Sequence, residues 1–290
     1  MAFLSYLIGG LGLGSVYAII ALGYSMVYGI AKMLNFAHGD IIMVGAFVAY
    51  FAISSFGLPV FVAVILSVVV CTILGVVIEK LAYKPLREAS SLSVLITAIG
   101  VSYFLQNAAM LLWGTDTKIF PTVLSGSLTI GELSIPYLTL ITILSCVVIM
   151  IVLTLFINRT KTGRAMRACS EDKGAASLMG INVNQIISIT FAIGSGLAAI
   201  AAVLLCATYP SVYPTLGSMP GIKAFTAAVL GGIGSIPGAF LGGLFLGVIE
   251  NLARAYISTQ LSDAIVFMVL IVVLLIKPTG LLGKKVNVKV

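Results

Sequence analysis

The sequence predicts an all-α polytopic membrane protein, with about eight full transmembrane helices plus one short broken segment. Three observations carry this. Of the 290 residues, 60% are hydrophobic and 9% charged, against roughly 45–50% and about 25% in soluble domains. Mean hydropathy is +1.20. Apolar runs of spanning length recur along the whole chain. So few charges cannot wet the surface of a globule, which excludes disorder, a nucleic-acid-binding domain and an ordinary soluble enzyme.

A spanning helix needs ~20 apolar residues at ~1.5 Å each. Such runs cover 4–31, 39–56, 59–79, 93–113, 136–157, 184–207, 236–253 and 263–277. The first has no basic residue before Lys32 and is too long for a cleaved signal peptide. It carries Gly10, Gly14 and Ala18 at four-residue spacing, a face that lets helices approach closely. The turn Asn35-Phe-Ala-His38-Gly-Asp40 then interrupts the apolar pattern. It reads either as a corner with Asp40 capping the next helix or as the lining of a solute path.

On 93–113, Ser93, Thr97, Gly100 and Asn107 share one helical face, with Ser102 and Gln106 opposite. One face suits a path and the other a neighbouring helix, or all of them bond between helices. The loop 114–135, with Leu128, Ile130 and the turn pair Ser125-Gly126, suits a short hairpin. It is either a docking surface for an external partner or a plain connection. In 184–207, Ser195, Ala199 and Ala202 form a small-residue side.

The run 221–231 has only 11 residues, so as a helix it reaches ~16 Å, about half the hydrocarbon core. Gly231, Gly232, Gly234, Ser235, Pro237 and Gly238 stop it. It is a half-spanning segment of the kind tolerated inside protein or beside a cavity. The 236–253 run pairs Gly238 with Gly242 and Gly243 with Gly247, again for packing.

Net charge is +7. Thirteen of the sixteen basic residues fall in 32–38, 79–92, 158–183 and the C-terminal segment. Only Lys118, Lys223 and Arg254 fall elsewhere. The positive-inside rule makes the first set cytoplasmic, facing anionic head groups and partners. The C-terminus is then cytoplasmic, and parity places the N-terminus outside. The acids give no embedded proton relay, which argues against a proton symporter. Cys71, Cys146, Cys169 and Cys206 lack metal-ligand spacing and read as packing residues, so no metal or cofactor is expected. Gly280, Gly283, Lys284 and Lys285 have the wrong spacing for a phosphate-binding loop, so energy comes from another chain or an ion gradient.

The basic element 158–183 holds Arg159, Lys161, Arg164, Arg167 and Lys173, then a short helix over about 170–179 ended by Gly180. Ala175-Ala176, three residues, then Gly180 resembles the coupling motif of ABC importer permeases, with Gly174 where that pattern has an acid. Asn35–Asp40, Tyr83-Lys-Pro-Leu-Arg87, Gly163-Arg-Ala-Met-Arg-Ala168, Ala224 to Ser235 and Lys277-Pro-Thr-Gly-Leu-Leu-Gly283 match in order along nearly the whole chain. Together they resemble the smaller permease subunit of the branched-chain amino acid ABC transporter.

The resemblance implies one permease domain over 1–290 in the inner membrane, with a fold like the core of type II ABC importer permeases. It implies a second homologous permease, two cytoplasmic ATPase subunits and a periplasmic or extracellular binding protein as partners. It makes Gly163, Arg164, Arg167, Glu171, Asp172, Ala175, Ala176 and Gly180 the ATPase-coupling residues. Asn35, His38, Asp40, Thr97, Asn107, Gly232 and Gly234 are then the expected path residues. A nearly uncharged interior suits a zwitterion with an apolar side chain. The rival classes are a self-contained carrier or channel, and an intramembrane enzyme, for which no catalytic set is present.

Overall fold

The computed structural model describes residues 2–87, 89–131 and 133–283. Lys284, Lys285 and Lys289 lie outside the described residues, as do Glu88 and Glu132. The helices are α1 (Ala2–Ala31), α2 (His38–Ser54), α3 (Val60–Ile78), α4 (Ser91–Trp113), α5 (Tyr137–Arg159), α6 (Lys161–Glu171), α7 (Lys173–Leu178), α8 (Val183–Thr208), α9 (Ser218–Gly231), α10 (Ile236–Tyr256) and α11 (Ser262–Ile276). A π-turn (Glu79–Tyr83) and a 3₁₀-turn (Lys84–Leu86) prolong α3. Strands β1 (Ser127–Ile130) and β2 (Leu133–Pro136) form the expected hairpin, antiparallel with Leu128 opposite Ile135. The reversal follows Ile130, at Gly131 with φ 63°, and not at Ser125-Gly126.

Six helices are long and apolar enough to cross a membrane: α1, α3 with its extension, α4, α5, α8 and α10. The apolar α2 and α11 are shorter, with 17 and 15 residues. The protein is therefore a helical polytopic membrane protein.

α1 is apolar all round and occupies the centre, buried on every face from Gly12 to Met26. α10 lies antiparallel along it. A Cβ at Gly10 would sit 2.8 Å from the Val248 Cα, and one at Gly14 2.8 Å from the Leu244 Cα. Gly247 and Gly243 meet Gly14 and Ala18 from the other side. The opposite face of α10 uses Gly238 and Gly242 against Gly231 and Ala227 of α9. The two glycine pairs of α10 thus serve two different neighbours. On α8, Ser195 takes Gly75 of α3, and Ala199 takes Gly45 of α2. α4 and α5 bury only Val94, Ala98 and Ala109, and Thr142, Cys146 and Leu153. Their outer faces expose Phe104, Leu111, Leu144 and Val152, as helices bordering lipid do.

Two helices begin inside the bundle. After α1 ends at Ala31 the chain reverses through Lys32, which has φ 58°. His38, the first residue of α2, lies against Gly23, where a Cβ would be 2.7 Å from its Nε2. Gly23 precedes the end of α1 by eight residues, or about 12 Å of helix. The start of α9 meets the start of α2 there: a Cβ on Gly39 would be 2.6 Å from the Gly217 oxygen. With 14 residues, α9 reaches about 21 Å, longer than the 11-residue run the sequence marks because the helix begins at Ser218, yet still short of a ~30 Å hydrocarbon core. Its end is closed by the Gly232 and Gly234 turn, φ 107° and 89°. There Ser25 Oγ accepts a hydrogen bond from the Gly234 amide at 2.8 Å. The Leu281 and Leu282 amides donate to the Leu230 and Gly231 carbonyls at 2.8 and 2.9 Å.

Candidate functional site: an internal junction and a basic end

At the α2–α9 junction lies a cavity of about 260 Å³. Asp40 of α2, Ser102 and Gln106 of α4, and Ser218 of α9 line it with polar side chains, as do Tyr24 and Tyr103, and Phe36, Ile99 and Ile222 are among its apolar walls. Asp40 is 2% exposed. It does not cap α2: the N-cap is Ala37, and no side chain caps it. Its carboxylate instead accepts from Gln106 Nε2 at 2.8 Å. The same amide nitrogen lies 3.2 Å from Ser102 Oγ and 3.3 Å from Ser218 Oγ.

The expected path residues fall in three places. Asn35, His38 and Asp40 sit together at the start of α2. Asn35 Oδ1 accepts from the Tyr83 hydroxyl at 2.9 Å. The His38 ring packs edge-on against Tyr24, centroids 4.6 Å apart. Gly232 and Gly234 lie at the far end of α9, Gly234 beside Ser25 and Gly29 of α1 and Gly232 against Leu282 and Gly283. On α4, Thr97 is half-buried and Asn107 exposed, and Asn107 Nδ2 donates to the Tyr103 carbonyl of its own helix at 2.7 Å. The Ser102–Gln106 face is the one turned to Asp40. Helical spacing separates these faces, but only packing selects between them.

Among the described residues three acids are buried: Asp40, Glu79 and Glu250. Glu250 pairs with Lys223 Nζ at 2.7 Å and with Arg254, and Lys223 also reaches Asp263 at 2.6 Å. This cluster joins α9, α10 and α11. By sequence position Lys223 belongs with the outer charges, yet it is 4% exposed. No spacing rule links residues 223, 250 and 263, so only the folded chain reveals the cluster. Glu79 pairs with Arg87 and accepts from Ser188 Oγ at 2.6 Å, and Arg87 also donates to Asn184.

The basic end is built by three caps. Thr160 accepts from the Gly163 amide at 2.9 Å and starts α6, and Asp172 accepts from the Ala175 amide at 2.9 Å and starts α7. Asn182 starts α8 in the same way at 3.1 Å. The single helix expected over 170–179 is therefore two, because Asp172 leaves helical geometry at φ −153° to act as cap. Gly163, Met166 and Cys169 turn inward at three-residue spacing, leaving Arg164, Arg167 and Glu171 exposed. Ala176 is buried and Ala175 exposed, and Gly180 ends the element at φ 80°. Leu178 and Met179 are 91% and 82% exposed.

Lys173 Nζ donates to the Ala31 carbonyl at 2.6 Å, tying this element to the end of α1. Burial, then Arg87 and Lys32 nearby, lower the Lys173 pKa. Burial raises that of Cys169, with Lys173 opposing. Among the described residues, no group of three or more His, Cys, Asp or Glu side chains is placed to hold a metal ion.

The family model described as "Branched-chain amino acid transport system / permease component" matches residues 6–274. The chain is 48% identical to the high-affinity branched-chain amino acid transport system permease protein BraD of Pseudomonas aeruginosa, over 97% of this chain and 96% of that one. It is 45% identical to LivH of Escherichia coli K12 over the same shares of the two chains. It is 28% identical to a probable branched-chain amino acid transport permease, LivH of Methanocaldococcus jannaschii, over 93% of this chain and 89% of that one. Among solved structures, PsaBC from Streptococcus pneumoniae in complex with Fab matches with a TM-score of 0.51 at 15% identity. That match covers 94% of this chain and 92% of the other, and the likeness is one of fold. A helical polytopic chain matched over nearly its whole length in this way belongs to the branched-chain amino acid transport permease family.

Proposed function

We propose that this chain is the membrane-spanning permease of an ATP-driven importer for branched-chain or related amino acids. It would reside in the inner membrane, in one domain over 1–290. The observation that carries the coupling part is the basic end. There an exposed Leu178–Met179 tip stands beside exposed Arg164 and Arg167, and Lys173 fastens the element to α1. An apolar tip beside cations suits docking into a groove of a soluble partner. In this reading Gly163, Arg164, Arg167, Glu171, Asp172, Ala175, Ala176 and Gly180 form the ATPase contact. Two ATPase subunits, a second homologous permease and an external binding protein complete the assembly. The hairpin in 114–135 faces the binding protein.

The positive-inside count supports a cytoplasmic basic end and C-terminus and an external N-terminus. It supports eight full crossings, with α2 and α11 counted among them, and the short α9 as a further inward leg that keeps the two termini on opposite sides. The path then runs past Asn35, His38 and Asp40 toward Gly232 and Gly234, with Ser102 and Gln106 on its α4 side and the expected Thr97 and Asn107 on the other face of that helix. The test is reconstitution in liposomes with the partner permease, ATPases and loaded binding protein. Leucine uptake and stimulated ATP hydrolysis are expected, and replacing Leu178 and Met179 with Glu removes ATPase co-purification. Uptake by this chain alone, driven by an ion gradient, would make it a self-contained carrier instead.

A further inference from the structure

The geometry points to a binding subsite for a primary ammonium group at Asp40, completed by Ser102 and Ser218 and shaped by Gln106. Three oxygens, from Asp40, Ser102 and Ser218, converge on the single Gln106 Nε2 at 2.8, 3.2 and 3.3 Å. An amide nitrogen carries two protons, so it donates squarely to at most two of these oxygens, and a ligand ammonium would take its place as Gln106 turns aside. An alkylammonium carries three, in a tripod that fits three acceptors.

Charge points the same way. Glu79 and Glu250 each have a cation beside them. Among the described residues, Asp40 has none within ion-pair distance. Lys223 of the neighbouring α9 is turned away to Glu250 and Asp263. The His38 imidazole is turned to Tyr24 and Gly23 and does not line the cavity. A buried, uncompensated carboxylate in a membrane protein is costly and marks a functional site. Here it borders a cavity of about 260 Å³, just under the usual range for small-molecule sites, ~300–1,000 Å³. Ile99, Ile222 and Phe36 give it an aliphatic and aromatic wall. An ammonium on a short apolar body satisfies both halves of this lining. The inference rests on the reading of the cargo as an amino acid.

The experiment uses the assembled transporter in nanodiscs without binding protein. Binding of labelled leucine is measured in competition with isoamylamine, which keeps the ammonium, and with 4-methylpentanoate, which lacks it. Isoamylamine is expected to compete and 4-methylpentanoate to fail. Asp40→Asn, which preserves shape and removes charge, is expected to weaken leucine binding at least tenfold, with Asp40→Glu restoring part of it. Ser218→Ala serves as the milder variant should Asp40→Asn not assemble, with a several-fold loss expected. Equal binding by Asp40→Asn, equal competition by the acid, or displacement of leucine by sodium in place of the amine would overturn the subsite. Uptake by wild-type proteoliposomes with binding protein separates the two claims. No amino acid uptake at all defeats the cargo reading, whereas normal uptake with an indifferent Asp40→Asn defeats the subsite alone.

Discussion

The α1–α10–α9 seam and the α2–α4–α9 junction both bury an acid, and they treat it in opposite ways. At the seam, glycines bring backbones into contact and Glu250 is closed off by Lys223 and Arg254. At the junction, Asp40 meets only neutral donors beside a cavity. A bilayer protein pairs its charges internally where geometry must stay fixed. It leaves a charge open where something else is to supply the partner. The seam thus has the build of a scaffold, and the junction that of the proposed site.

The largest effect expected from breaking this contrast is at Glu250. Glu250→Ala leaves Arg254 without its carboxylate and Lys223 with Asp263 alone, and loss of one partner of a buried pair costs about 3–5 kcal/mol. Thermal unfolding of the purified protein in detergent should show it as the most destabilised variant. Unchanged stability would remove the scaffold half of the comparison. Replacing Lys223 and Glu250 together by Met should recover most of that loss, since an apolar substitute for a whole buried pair is often neutral.

Gly247→Leu comes next. Its side chain would enter the Gly14 backbone, and such overpacking costs about 1–3 kcal/mol. The same assay should place it between Glu250→Ala and wild type. Asp40→Asn should be smallest, within about 1 kcal/mol, because the Gln106 amide keeps an oxygen to bond. A loss at Asp40 as large as that at Glu250 would make both acids structural and dissolve the distinction.

These two regions were not equally readable from the chain. Gly10, Gly14 and Ala18 announce a helix face through spacing alone, and so do both glycine pairs of α10. The end of α9 was legible because glycines stop its apolar run, but its start at Ser218 was not. The charge cluster was not, since Lys223, Glu250 and Asp263 come from three helices and no local period connects them. The start of α2 within the bundle was hidden too. Lys32 and Asn35 look like an ordinary loop, and only the contact of His38 with Gly23 shows the chain returning inward. On α4 the sequence separated two polar faces, but choosing the Ser102–Gln106 face for Asp40 required knowing which helix lay alongside.

Lys223 also has a consequence for how the chain is assembled. A 14-residue helix bearing a lysine is a poor candidate to enter a bilayer alone, since a lysine at mid-membrane costs about 2.5–3.5 kcal/mol on insertion scales. Its neutralising partners, Glu250 and Asp263, are synthesised 27 and 40 residues later. Segment α9 is therefore expected to enter the bilayer together with α10 and α11 and not ahead of them. Chains truncated after residue 257 should leave Lys223 open to water-soluble amine reagents, and full-length chains should protect it.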